Sequence, residues 1–116
     1  GTGEQSRCFC HVLDSVEAIA RLMRTTDAVG EVVNVGSDSE ISINGLAERV
    51  RTIARSESEI VRVPYDVAYA KGFEDMERRV PDVTKLVRLT GFRPSVPLDR
   101  TIQDVLDDRR RALAKT

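Results

Sequence analysis

No stretch of this sequence is apolar for long enough to cross a bilayer, since its hydrophobic runs stay far below the ~20 residues that a spanning helix needs. Gly1 to Gln5 has neither a basic start nor an apolar stretch, so no secretory leader is expected. An excess of one charge is missing too. Lys and Arg number 18 against 19 Asp and Glu, a formal net charge of −1. That balance gives no basic field for nucleic acid or an anionic membrane, and neither is expected as a partner. Cysteine is scarce. Cys8 and Cys10 are the whole inventory. In a strand they would share one face, near the upper limit of disulfide Cα separation and pointing side by side. They read as buried thiols of a cytoplasmic protein.

Catalytic machinery is also lacking. No G-x-G-x-x-G opens a helix, and G-T-G at Gly1–Gly3 leads into a strand instead. There is no believable Ser/His/Asp arrangement and no cluster with metal-ligand spacing. The single histidine, His11, alternates with Cys10 and Val12 and reads as a packed or half-exposed side chain, not a general base. Repeats and low-complexity segments are absent.

What is present suits one soluble domain with a core: 116 residues, 41% hydrophobic and 32% charged. Arg7–Leu13 reads as a strand. Asp14-Ser-Val-Glu17 then has the form of a capping box, and Val16, Ile19, Ala20 and Met23 set one apolar helix face. Val32, Val33 and Val35 form a short strand ended by Gly36, apolar on both faces like an interior strand of a larger sheet. Ser42 fits as the N-cap of a second helix, with Ile43, Leu46, Ala47, Val50, Ile53 and Ala54 inward. Gly45 inside that helix suggests close packing. Ile60, Val61 and Val63 suggest another strand, stopped by Pro64. Tyr65–Val80 has no clean period, apart from a helical turn near Tyr65–Tyr69, and its length points to function. Pro81-Asp82 opens a short helix with Val83, Leu86 and Val87 inward and Gly91 as its stop. Pro97 starts the last helix, with Leu98, Ile102, Val105, Leu106 and Leu113 on one face. Its tail, Arg109–Arg111, suits the macrodipole. The pattern predicts a small mixed α/β domain of short strands and about four helices.

Two arginine sites stand out. Arg7 heads a strand after a glycine-bearing loop, and Arg78-Arg79 ends the long loop before Pro81. Two arginines from separate segments can clamp a diphosphate, because guanidinium donates bidentate bonds and keeps its charge. Spacing alone favours the plainer alternative, surface residues or pairing with a local carboxylate such as Asp75 or Glu77.

The motifs shift that balance. G-T-G-E-Q-S-R-C-F-C-H-V-L-D resembles the G-x-G-x-Q-x-R-x-F-x-x-V-x-D segment that opens the substrate-binding part of extended short-chain dehydrogenases/reductases, the NAD-dependent nucleotide-sugar epimerases, dehydratases and decarboxylases. Gly1, Gly3, Gln5, Arg7, Phe9, Val12 and Asp14 fill its places. E-V-V-N-V-G, F-E-D-M-E-R-R-V-P-D and L-T-G-F-R-P-S-V-P-L-D resemble later motifs of the same family, in order, across essentially the whole chain.

The resemblance implies that residues 1–116 are the C-terminal nucleotide-sugar-binding region of a Rossmann-type enzyme, without its N-terminal dinucleotide-binding domain. It implies that Arg7 and Arg79 bind the diphosphate or sugar of a UDP- or dTDP-sugar, with Gln5, Asp75 and Phe73 as further contacts. Asn34 is structural by the same analogy. NAD is implied for the parent enzyme, with none expected on this chain alone. The glycine-rich loop and Tyr-x-x-x-Lys lie outside these residues, so the chain alone is expected to be inactive. The parent reaction expected is 4-epimerisation of a UDP-hexose. UDP-glucuronate decarboxylation, suggested by Tyr69–Arg79, or dTDP-sugar dehydration is the alternative, and a non-catalytic binding module is an alternative of another class. A further expectation is physical. Val32–Val35, without its sheet neighbours, should leave an open edge and favour a homodimer or a strand-exchanged assembly.

Overall fold

A computed structural model describes residues 1–69 and 75–114. Phe73 lies outside the described residues. Five α-helices, one 3-10 turn at Thr26–Ala28 and three short strands occur among the described residues: β1 Ser6–Cys8, α1 Val12–Arg24, β2 Glu40–Ser42, α2 Ile43–Ala54, α3 Tyr65–Ala68, β3 Arg78–Arg79, α4 Thr84–Thr90 and α5 Leu98–Leu113.

The strands form one sheet in the order β2-β1-β3. β1 runs antiparallel to β2, with Ser6 opposite Ser42 and Cys8 opposite Glu40. It runs parallel to β3, with Ser6 opposite Arg78 and Arg7 opposite Arg79. α1 packs on α4 and α2 on α5. Ala18 of α1, Val83, Leu86 of α4 and Ile102 of α5 are the buried apolar side chains.

Several helix ends follow the sequence signals. Ser42 caps α2, its hydroxyl accepting the Gly45 N–H at 3.0 Å. A Cβ on Gly45 would sit 3.2 Å from that hydroxyl oxygen and 3.3 Å from Ile41, a close fit in which Ser42 or Ile41 would have to give by a few tenths of an ångström. Gly91 ends α4 in the left-handed region, with φ 66°, where a side chain would be strained. The turn near Tyr65 is helical, as α3.

The first helix corrects the sequence reading. The strand stops at Cys8 and the helix already starts at Val12, because His11 is the N-cap and its ring Nδ1 accepts the Leu13 N–H at 3.1 Å. Asp14 therefore does not cap α1. Its buried carboxylate accepts the Ser95 and Val96 N–H groups, both at 2.8 Å, and ties the loop before α5 to α1. Glu17 does not reach back but pairs with Arg21, 2.6 Å away.

The strands predicted at 32–35 and 60–63 do not form ladders either. Each needs a partner strand, and the described residues offer none. The sheet is built instead from β2 and β3, two segments too short and polar to announce themselves.

The apolar face predicted for α1 is also not buried. Val16, Ile19 and Met23 face solvent, Met23 with 84% of its surface exposed, while Ala18 takes the inward position. Val105 and Leu113 of α5 are exposed as well, and so is Val32, at 87%. The radius of gyration, 17.3 Å, exceeds the ~13 Å expected for a compact chain of this length. A long apolar stripe and an unpaired extended segment are thus left uncovered.

Candidate functional site

β1 and β3 bring the two predicted arginine sites together. Neighbours in a parallel register project to the same face of a sheet, with strands ~4.8 Å apart. Arg7 and Arg79 accordingly line one open cleft of about 390 Å³. The segment Asn34–Ser37 and Pro81-Asp82 also line it. Asn34 holds that segment, its side-chain amide donating to the Asp82 carbonyl at 3.2 Å, the structural role expected of it. The Asp82 carboxylate accepts the Thr84 N–H at 2.9 Å, and the Thr84 side chain first, then that N–H, holds its pKa below the ordinary value.

The arginines differ in how they are held. Arg7 is three-quarters or more buried, donates to its neighbour's carbonyl, Ser6 O, at 2.6 Å and pairs through Nη2 with Asp75. Arg79 is exposed and has no ion pair among the described residues. Arg78 is committed elsewhere. It grips both oxygens of Glu40, with Nε–Oε1 3.0 Å and Nη2–Oε2 2.9 Å, and so bridges the two outer strands across β1.

Gln5 and Asp75, the other predicted contacts, meet through a residue the sequence did not single out. The Gln5 amide donates to the Tyr65 hydroxyl at 2.7 Å, and that hydroxyl donates to Asp75 Oδ2 at 3.1 Å. Asp75 completes the chain with its pair to Arg7. The only signal for Tyr65 was its place after Pro64, at the head of the long irregular segment. Nothing local says that the fold returns that segment to β1 ten residues later.

The cysteines are free thiols, half-buried and not fully buried as expected, and both line the cleft. Desolvation, and then the Glu40 and Asp38 carboxylates, raises the Cys8 thiol above its ordinary value, so it stays protonated. His11 is buried. Its Nδ1 accepts the Leu13 N–H and its Nε2 lies 3.1 Å from Asp104 Oδ2, an arrangement that the Nε2–H tautomer satisfies. The ring thus packs, as the sequence suggested, and also caps α1, which the sequence reading gave to Asp14.

A dinucleotide cradle needs a glycine-rich turn between a strand and a helix. β1 passes to α1 through Phe9-Cys10-His11, and β2 runs straight into α2 at Ser42. These junctions do not fit NAD, and no step of chemistry can be routed through that cofactor on these residues. Among the described residues no three metal-ligating side chains gather, and no helix is long and apolar enough to cross a membrane.

Comparison with known proteins gives three kinds of match. The sequence profile of the family described as GDP-mannose 4,6 dehydratase matches residues 1–105. The UDP-N-acetyl-alpha-D-glucosaminuronate decarboxylase of Bacillus cytotoxicus is 39% identical over 106 residues, spanning 91% of this chain and 33% of that protein. The UDP-glucose 4-epimerase of Thermotoga maritima, solved with UDP-glucose, superposes with a TM-score of 0.83 at 28% identity, covering 97% of this chain and 34% of the epimerase. The enzyme RMD of Pseudomonas aeruginosa, solved with NADPH, superposes with a TM-score of 0.76 at 30% identity, covering 93% of this chain and 33% of that one. The chain spans about a third of the length of these relatives.

Proposed function

The chain belongs to the NAD-dependent nucleotide-sugar epimerase/dehydratase family of extended short-chain dehydrogenases/reductases, and on that premise we propose that it binds the diphosphate of a nucleotide sugar, a UDP-sugar first. The observation that carries the reading is the register of Arg7 and Arg79, which aims two permanent cations into one open cleft. A diphosphate offers oxygens on two adjacent phosphorus atoms. Two guanidinium groups on neighbouring strands can each engage one of them by charge-assisted bonds. Gln5 and Asp75 support Arg7, and Phe73 is proposed to contact the sugar.

The chain's own contribution is binding and orientation. Catalysis is proposed for a longer protein in which a dinucleotide-binding domain, with NAD, supplies the hydride chemistry.

Two reactions have support for that protein. Decarboxylation of a UDP-uronate is supported by the 39% identity to a decarboxylase and by the Tyr69–Arg79 stretch, and we place it first. The 4-epimerisation of a UDP-hexose, the sequence-based expectation, is supported by the fold likeness at lower identity. Competition against bound UDP tests both. Stronger displacement by UDP-glucuronate than by UDP-glucose supports the uronate, and the reverse order returns the epimerase reading. Failure of UDP to bind at all removes the nucleotide-sugar reading of this cleft.

A second copy is proposed as the partner of the uncovered surfaces. The segment 32–35, which joins no strand among the described residues, and the exposed stripe of α1 favour a homodimer or strand-exchanged assembly.

A further inference from the structure

We propose that Tyr65 is a positioning residue for anion binding, one that fixes Arg7 in the cleft by holding Asp75. This rests on the diphosphate reading of the cleft and adds a residue to it.

The geometry is a chain of three links. Tyr65 sits at the start of α3, and Asp75 lies ten residues on, just before β3. The Tyr65 hydroxyl is anchored on one side by the Gln5 amide at 2.7 Å and donates on the other to Asp75 Oδ2 at 3.1 Å. Asp75 then holds Arg7 with its second oxygen, Oδ1. The division of the carboxylate matters. A free Asp could take both ends of the guanidinium fork and neutralise it. With Oδ2 occupied by the phenol, Asp75 grips Arg7 through one nitrogen. Nη1 rests on the Ser6 carbonyl at 2.6 Å, and Nε has no hydrogen-bond partner among the described residues. Arg7 is therefore oriented without being used up.

The phenol is suited to this task. Burial first, and then the bond to Asp75, raises it above its ordinary value, so it remains a donor at any working pH. The tilted contact with the Tyr69 ring, 5.8 Å between centroids, steadies it further. Gln5 and Arg7 flank Ser6 on the β1 segment, so the link pins the far end of the long irregular segment to the strand that carries the arginine.

The test is a double-mutant cycle on UDP affinity, read by calorimetry with Tyr65→Phe, Arg7→Ala and the pair. Tyr65→Phe keeps the ring and removes only the hydroxyl, and Asp75→Asn serves as a second variant. Loss of one hydrogen bond corresponds to about three- to tenfold weaker binding. If Tyr65 acts through Arg7, the double variant binds UDP no more weakly than Arg7→Ala alone. A purely structural role would give losses that add, and that result, or an unchanged affinity in Tyr65→Phe, overturns the proposal. Rotation of the Arg7 guanidinium about its Nε–Cζ bond, by NMR, reads the Nη2–Asp75 link without ligand and should accelerate in Tyr65→Phe and Asp75→Asn. Should UDP fail to bind, the diphosphate reading falls by itself, and unchanged rotation of the Arg7 guanidinium would then overturn the Tyr65 link separately.

Discussion

Arg7 and Arg79 stand directly opposite one another in the parallel register of β1 and β3. Two like charges so placed repel, and the fold meets this unevenly. Asp75 takes Arg7, while Arg79 stays without an ion pair among the described residues. Arg78, one residue earlier, points to the other face, because side chains alternate along a strand. Its guanidinium is spent on Glu40. The dipeptide Arg78-Arg79 is thus divided by the period of a strand into a cross-sheet tie and an open cation.

That division predicts different outcomes for neighbouring substitutions. Arg78→Ala should leave UDP affinity unchanged in calorimetry and lower the melting temperature slightly, since exposed pairs contribute little even with bidentate geometry. A loss of UDP affinity matching that of Arg79→Ala would contradict the assignment.

The same tie sets an acid response. Bonds from Arg78, then from Ser6, hold the Glu40 carboxyl below its ordinary value of 4.5. A carboxyl depressed in the folded state adds stability that is complete above the unfolded value and fades as pH falls through the folded one. Glu40→Gln should therefore flatten the loss of stability below about pH 4.5 in urea titrations, with no change in slope near neutrality. An unaltered acid slope would count against the pairing.

Asp14 predicts a larger effect. Removing its carboxylate leaves the Ser95 and Val96 N–H groups without their acceptor. Each orphaned, part-buried donor costs about 1–3 kcal/mol. Asp14→Ala should destabilise by on the order of 2 kcal/mol or more in denaturant unfolding, and a change within error would show that water replaces the carboxylate.

The uncovered stripe of α1 predicts self-association. Light scattering should show mass rising with concentration, and Val16→Lys together with Met23→Lys should reduce it. A strictly monomeric species at high concentration, with or without the substitutions, would rule the second copy out as the cover.

Helices 2, 4 and 5 were legible because their signals are local: Ser42 as a cap, Gly91 as a stop and Pro97 as a start. The two arginines were legible as motif members but not as neighbours, since register depends on contacts between distant segments. The strands were misread for a related reason. Val32–Val35 has the composition of a buried strand, yet pairing needs a neighbour, and the polar segments Glu40–Ser42 and Arg78–Arg79 found β1 instead. On α1, His11 out-competed Asp14 as the cap because the Asp14 carboxylate was claimed by a loop eighty residues away. No window of local sequence carries that information.

The most direct test of the account is calorimetric titration of the chain with UDP, repeated on Arg7→Ala and Arg79→Ala. The unaltered chain should bind UDP, and each variant should still bind it measurably but about tenfold or more weakly. An affinity left unchanged by either substitution would contradict the shared diphosphate site.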